Sequence, residues 1–208
     1  VSEKKSEGKK SGSFYRELPI LAVVAVVLAL LLRTFVVQTF FIPSGSMETT
    51  LERPDRVLVN KVVYHFRGIK RGDVVVFNAP VSWRQPGEKD FIKRVIGLPG
   101  DRVTCCDSAG RMTVDGQSLI EPYVYPGNAP SEVRFDVTVP KGRLFVCGDH
   151  RDVSADSRRH LDENKGTIPQ SSLVGRAFVV VWPPRDWRGL PVPHTFDALN
   201  DGRVGSSG

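Results

Sequence analysis

Three cysteines and four histidines in 208 residues are too few for a disulfide-built scaffold and too scattered for a metal-ligand pattern. Cys105 and Cys106 are adjacent, and sequence neighbours rarely bridge to each other. Either one of them pairs with Cys147 or all three remain buried thiols. The chain has no internal repeat, no long amphipathic helical pattern and only one long apolar run. No stretch of Lys or Arg is interleaved with aromatics. A net charge of +6 and a pI near 9.4 therefore suit anionic lipid better than nucleic acid. Nothing calls for a cofactor or a metal. With 40% hydrophobic and 25% charged residues the composition is globular, and the length suffices for one compact domain plus a short anchor.

The apolar run covers residues 18–32. At ~1.5 Å per residue it reaches roughly 22 Å, short of a bilayer core of ~30 Å. Continued through Arg33 and Thr34 to Val37 it becomes long enough, with Arg33 snorkelling outward. A cleaved secretory signal would want a small-x-small site after the run, but Val36, Val37, Phe40 and Phe41 are bulky. The expectation is a retained transmembrane anchor over 18–37. The polar tail 1–17 carries Lys4, Lys5, Lys9, Lys10 and Arg16, which favour leaving it disordered in the cytoplasm, with the remainder on the outer face.

Beyond the anchor the pattern is short strands with turn punctuation, so the fold class is mainly β. Strands are expected over 56–62, 73–77, 91–96, 111–114, 135–139, 143–147 and 174–181, with a hairpin at Asp115-Gly116 and a turn at 97–101. The expected organisation is a β-rich core from 38–101 and 141–190, a small inserted β subdomain over 102–140, and a flexible tail over 191–208.

Chemistry concentrates in three places. Pro43-Ser44-Gly45-Ser46-Met47 is a glycine-hinged turn just past the anchor, able to present one hydroxyl as nucleophile and another toward an oxyanion. A serine nucleophile needs a base, and none of the histidines lies in a triad motif. Lys93, in the apolar strand 91–96, is the alternative. Bringing its pKa from about 10.4 to near 7 takes ~4–5 kcal/mol, which burial can supply. Period two places Lys93 with Phe91, opposite Ile92 and Arg94. The third place is 148–158, dense in hydroxyls and opposite charges, where Asp–Arg pairing can rigidify a loop carrying Ser154.

Taken in order, PSGSMETTL (43–51), RGDVVVF (71–77), FIKRVIGLPGD (91–101) and GDHRDVSADSR (148–158) resemble the bacterial type I signal peptidases. The resemblance spans about 18–182. Thr49 stands where the family usually has proline, and His150 and Val153 where asparagines are common. Residues 159–165 intervene before Gly166-Thr167-Ile168-Pro169. The resemblance implies a membrane-anchored serine endopeptidase that cuts signal peptides from exported preproteins after small-x-small sites. It implies Ser46 as nucleophile and Lys93 as general base, with Ser44 and the Ser46 N–H forming the oxyanion site. Ser154 would orient Lys93, with Asp156 and Arg158 holding its loop, and Phe40, Ile42, Phe91 and Ile92 would line the substrate pockets. The expected partners are preproteins and the bilayer, with the protein acting as a monomer. Two other readings compete: a self-cleaving Ser/Lys repressor, for which no DNA-binding helix pair is visible, and an anchored, non-catalytic β-domain serving as a binding scaffold.

Overall fold

Val74, Val75, Val76 and Phe77 form an unbroken β-branched and aromatic run, the pattern of a strand covered on both faces. The computed structural model describes residues 14–202, with backbone only at 14–16 and 31–35. Helix α1 covers Phe14–Phe35. The strands and short helices that follow are β1 (Val37–Phe41), β2 (Arg56–Asn60), α2 (Val63–Phe66), β3 (Val74–Asn78), β4 (Asp90–Gly97) and β5 (Arg102–Cys105). The chain continues with β6 (Thr113–Val114), β7 (Gln117–Ser118), β8 (Phe135–Thr138), β9 (Arg143–Cys147), β10 (Ile168–Pro169), β11 (Leu173–Trp182), β12 (Arg188–Gly189) and α3 (Asp197–Asp201). The protein is mainly β.

Two antiparallel sheets carry the structure. The larger has eight strands in the order β1-β2-β11-β3-β4-β9-β10, with β12 on β11; the smaller has the order β7-β6-β5-β8. In β2, Val57 and Val59 point inward while Arg56 is exposed, the alternation of a half-covered strand. β3 and β4 sit in mid-sheet and are buried almost throughout. The Asp115-Gly116 turn has φ of 50° and 79°, the left-handed pair that a two-residue hairpin requires.

Three apolar clusters fill the interior. One, around Ile42, Met47, Leu51, Val57, Val76 and Ile92, lies beneath the 43–51 turn. A second gathers Phe77, Trp83, Val95, Leu144 and Ile168. A third joins the small sheet to β9 through Val103, Val114, Val137 and Phe145.

Several expectations need correction. The helix ends at Phe35, and Val37 opens β1 instead of closing the anchor, because β1 pairs along its length with β2. Cross-strand bonding there overrides the apolar continuity that suggested more helix. Among the described residues no helix is long and apolar enough to cross a membrane; α1 side chains are described only over 17–30, and there all are exposed. Arg33's side chain and most of the expected cytoplasmic tail, 1–13, lie outside the described residues, as does 203–208. The segment from 191 is packed, not loose: Phe196 is fully buried, and Leu199 joins the same cluster as the small sheet. Finally, Cys105 and Cys106 are bridged to each other and Cys147 is a free, buried thiol.

Candidate active site

The 43–51 turn is held from below. Met47 and Leu51 are fully buried, and Leu51 N–H bonds to the Met47 carbonyl at 2.8 Å. Glu48 N–H closes the turn onto the Gly45 carbonyl at 3.1 Å. This anchorage leaves Ser44 exposed and Ser46 just below the surface, 6% exposed. Their hydroxyls lie 3.2 Å apart.

Lys93 reaches the same point from β4. Its Nζ is 2.6 Å from Ser46 Oγ, and the residue is 4% exposed. Nζ also stands 5.4 Å from the centre of the Phe91 ring, as expected for two residues on one face of a strand. Burial lowers the Lys93 pKa to about 8, with Asp156 and Asp149 pulling weakly the other way. Loss of hydration penalises the ammonium more than these more distant carboxylates restore it.

Loop 148–158 lies against this pair. The His150 N–H bonds to the Ser46 carbonyl at 3.1 Å. Gly148 faces Ser46 and Ser154 so closely that a Cβ would sit 2.4 Å from the Ser46 carbonyl oxygen and 2.3 Å from Ser154 Oγ. Asp156 organises the loop. It accepts from Gly148 N–H at 2.9 Å and from the Arg158 guanidinium at 3.0 and 2.8 Å. Burial pushes the Asp156 carboxyl up, but Arg158 and the Gly148 N–H outweigh it and hold the pKa below its usual value. Ser154 is fully buried; its Oγ lies close enough to help hold Asp156 low, yet meets the geometry of no hydrogen bond.

Phe40, Ile42, Phe91 and Ile92 line one cleft of about 430 Å³ together with Ser44, Ser46 and Lys93. Val76, Val153 and Ala155 also line it. Ser154, Asp156 and Arg158 do not line it; they form part of the loop behind it.

Several residues of this neighbourhood were not singled out from the sequence. Arg94, read only as a residue on the far face of the strand, forms a buried two-pronged pair with Asp149 at 2.9 and 2.6 Å. Thr50 also donates to Asp149, at 2.5 Å, tying the 43–51 turn to the same carboxylate. Arg151 is buried and paired with Glu121 of the small-sheet region at 2.6 Å. His150 stacks on Tyr125, with ring centres 3.9 Å apart, and its Nδ1 lies 3.1 Å from Glu48 Oε2. The charge density of 148–158 was visible in the sequence. Its partners at 48, 94, 121 and 125 lie 25 to 102 positions away and carried no spacing signal.

Residues 15–182 match the family model described as signal peptidase, peptidase S26. This chain belongs to that family. Relatives of the signal peptidase family agree over most of their lengths. A probable signal peptidase I of Mycobacterium leprae (strain TN) is 37% identical over 89% of this chain and 82% of its own. A probable signal peptidase I-1 of Synechocystis sp. (strain ATCC 27184 / PCC 6803 / Kazusa) is 42% identical over 85% and 87%. Signal peptidase I T of Bacillus subtilis (strain 168) is 35% identical over 86% and 92%. The chain is accordingly a serine endopeptidase of the signal peptidase I kind, which the scaffold and repressor readings do not fit.

Proposed function

We propose that the protein is a membrane-anchored endopeptidase that removes signal peptides from exported preproteins after small-x-small sites, with Ser46 as nucleophile and neutral Lys93 as general base. The observation that carries this reading is the 2.6 Å separation between Lys93 Nζ and Ser46 Oγ, both buried beneath an open cleft. At that distance a proton can pass directly between them.

In the first half-reaction Ser46 Oγ attacks the scissile carbonyl while its proton moves to Nζ. The Ser46 N–H and the Ser44 hydroxyl donate to the oxygen as it gains charge. The carbon–nitrogen bond then breaks, the leaving amine takes the proton from Nζ, and an ester to Ser46 remains. Water attacks the ester, giving a proton to Nζ; the carboxylic acid leaves and Ser46 Oγ recovers its proton. Ser154, Asp156 and Arg158 act by holding the loop against the dyad. Phe40, Ile42, Phe91 and Ile92 leave room for small apolar side chains in the cleft.

Helix α1 would be the anchor. Its 22 residues correspond to ~33 Å, of which the apolar run 18–32 supplies roughly 22 Å. Ile20, Leu21, Val23, Val26 and Leu30 are all more than half exposed on it, an arrangement suited to lipid. The basic tail before it would stay in the cytoplasm, and β1 would lead directly to Ser46 at the outer face of a bacterial cell membrane. Enzyme and membrane-held substrate then share one surface, which raises their effective concentration.

The test uses the full chain in detergent with a preprotein carrying an Ala-x-Ala site. Wild type is expected to release the mature protein, while Ser46→Ala and Lys93→Met lose at least ~10³ in kcat. Equal cutting by either variant would remove the residue from its assigned role.

A further inference from the structure

Segment 159–165 takes no part in the chemistry above, yet it joins two parts of the site. At its start, His160 stacks on Trp83, with ring centres 4.3 Å apart and planes 16° from parallel. The same ring donates from Nδ1 to the Asp156 carbonyl oxygen at 2.9 Å. Further on, Glu163 accepts from the Ser82 hydroxyl. The segment therefore runs between the loop that backs the dyad and a single helical turn, Val81–Trp83.

That turn begins a wall of the cleft. Trp83 is 5% exposed and packs with Phe77, Val95 and Leu98. After it the chain passes through Gln85, Gly87, Glu88, Lys89 and Asp90, all of which line the cleft and are exposed. Ala79 N–H to Lys89 carbonyl at 3.0 Å, Arg84 Nε to Ala79 carbonyl at 2.6 Å and Asn78 to Asp90 at 2.5 Å close this loop on itself. Its ties to the loop bearing Asp156 run through Ser82 and Trp83. A half-open pocket flanked by Trp83, Glu163, Asn164 and Thr167 lies beside these two contacts, so the segment is not packed against the turn along its whole length.

We propose that segment 159–165 is a brace setting how far the 84–90 wall stands from Ser46 and Lys93, with Trp83, His160 and Glu163 as positioning residues for side-chain selection. This rests on the peptidase reading above. A cleft that separates small from larger side chains does so by steric fit, where one methylene changes selection roughly 10- to 200-fold. A wall displaced outward by about the width of a methyl group would accept the larger side chain. If instead the stack only stabilised the Trp83 cluster, its loss would lower stability and leave selection unchanged.

Two measurements on the full chain in detergent separate these. The first is amide hydrogen exchange across 79–90 in wild type, His160→Ala with Glu163→Ala, and His160→Phe, which keeps the stack and drops the Nδ1 bond. Exchange at Arg84 and Glu88 is expected to quicken at least ~10-fold in the double variant and to stay near wild type in His160→Phe. The second is kcat/KM for two preproteins that differ only in Ala or Val at one small position. The Ala-over-Val ratio is expected to fall about 5- to 10-fold in the double variant and to recover in His160→Phe. Unchanged exchange at 84–90 overturns the brace, and so does quickened exchange with an unaltered ratio. If wild type cuts neither preprotein, the peptidase reading fails while the exchange result still decides whether the segment braces the wall.

Discussion

In the proposed reaction Lys93 would serve as a base because the fold keeps it dry, and the same burial costs stability. Its folded pKa, about 8, lies below the usual 10.5. Between these values the unfolded chain binds more protons than the folded one, so stability rises with pH through that window and is lowest below it. Two outcomes follow. kcat/KM is expected to rise with pH through one ionisation near 8, as the neutral amine becomes populated, and Lys93→Met should abolish that rise along with activity. Thermal unfolding of Lys93→Met at pH 7 is expected no lower than wild type, because a methionine fills similar volume without a buried charge. A markedly lower melting temperature would mean that the Ser46 contact outweighs the desolvation. Gly148 makes a second residue-scale case. Gly148→Ala would drive a methyl group into the Ser46 carbonyl and Ser154 Oγ. A fall of at least ~10²-fold in kcat with circular dichroism unchanged is expected, since small displacements of reacting groups are costly.

Loop 148–158 keeps its shape through ion pairs to other elements. The Arg94–Asp149 pair is buried on both sides, and Arg94 also stands 4.2 Å over the Tyr123 ring and donates to the Gly72 carbonyl at 3.0 Å. Removing one member strands the other charge in the interior, which typically costs ~3–5 kcal/mol. Asp149→Ala is therefore expected to lower the chemical-denaturation midpoint sharply, and more than Asp136→Ala, whose pair with Arg102 is exposed. Comparable midpoints for the two variants would show that the buried pair carries no such burden. Asp156 adds an acid limit. Its lowered pKa contributes stability that is present above the ordinary carboxylate range and is lost as pH falls through its folded value.

Across the molecule, the C-terminal segment locks the two sheets together. Arg71, beside β3, forms a buried fork with Asp101 at 2.6 and 2.7 Å and donates to the Leu199 carbonyl at 2.6 Å. Asn200 exchanges bonds with the Arg71 backbone at 3.2 and 3.1 Å, and Phe196 packs near Tyr123 with ring centres 6.1 Å apart. Phe196→Ala is expected to cost ~3–5 kcal/mol by equilibrium unfolding. A loss below ~1 kcal/mol would return the segment to the status of a loose tail. Removing 1–35 is expected to leave activity on a soluble peptide substrate but abolish co-sedimentation with phospholipid vesicles. Retained co-sedimentation would place membrane attachment elsewhere in the chain.

Strand positions were legible in the sequence because they depend on local pattern: β-branched runs such as 74–77, and a turn such as Asp115-Gly116 that demands left-handed backbone. The motifs holding Ser46, Lys93 and Asp156 were legible because they are contiguous segments. Other features were not local. β1 was hidden inside apolar continuity and is defined by its pairing with β2. The packing of Phe196, the Arg94–Asp149 pair and the His160–Trp83 stack join residues 55 to more than 70 positions apart. Sequence alone determined which groups are chemically able to act. Their closeness, and with it the lowered pKa of Lys93, came from tertiary packing, because burial and a 2.6 Å contact across 47 residues are properties of assembled sheets rather than of any one segment.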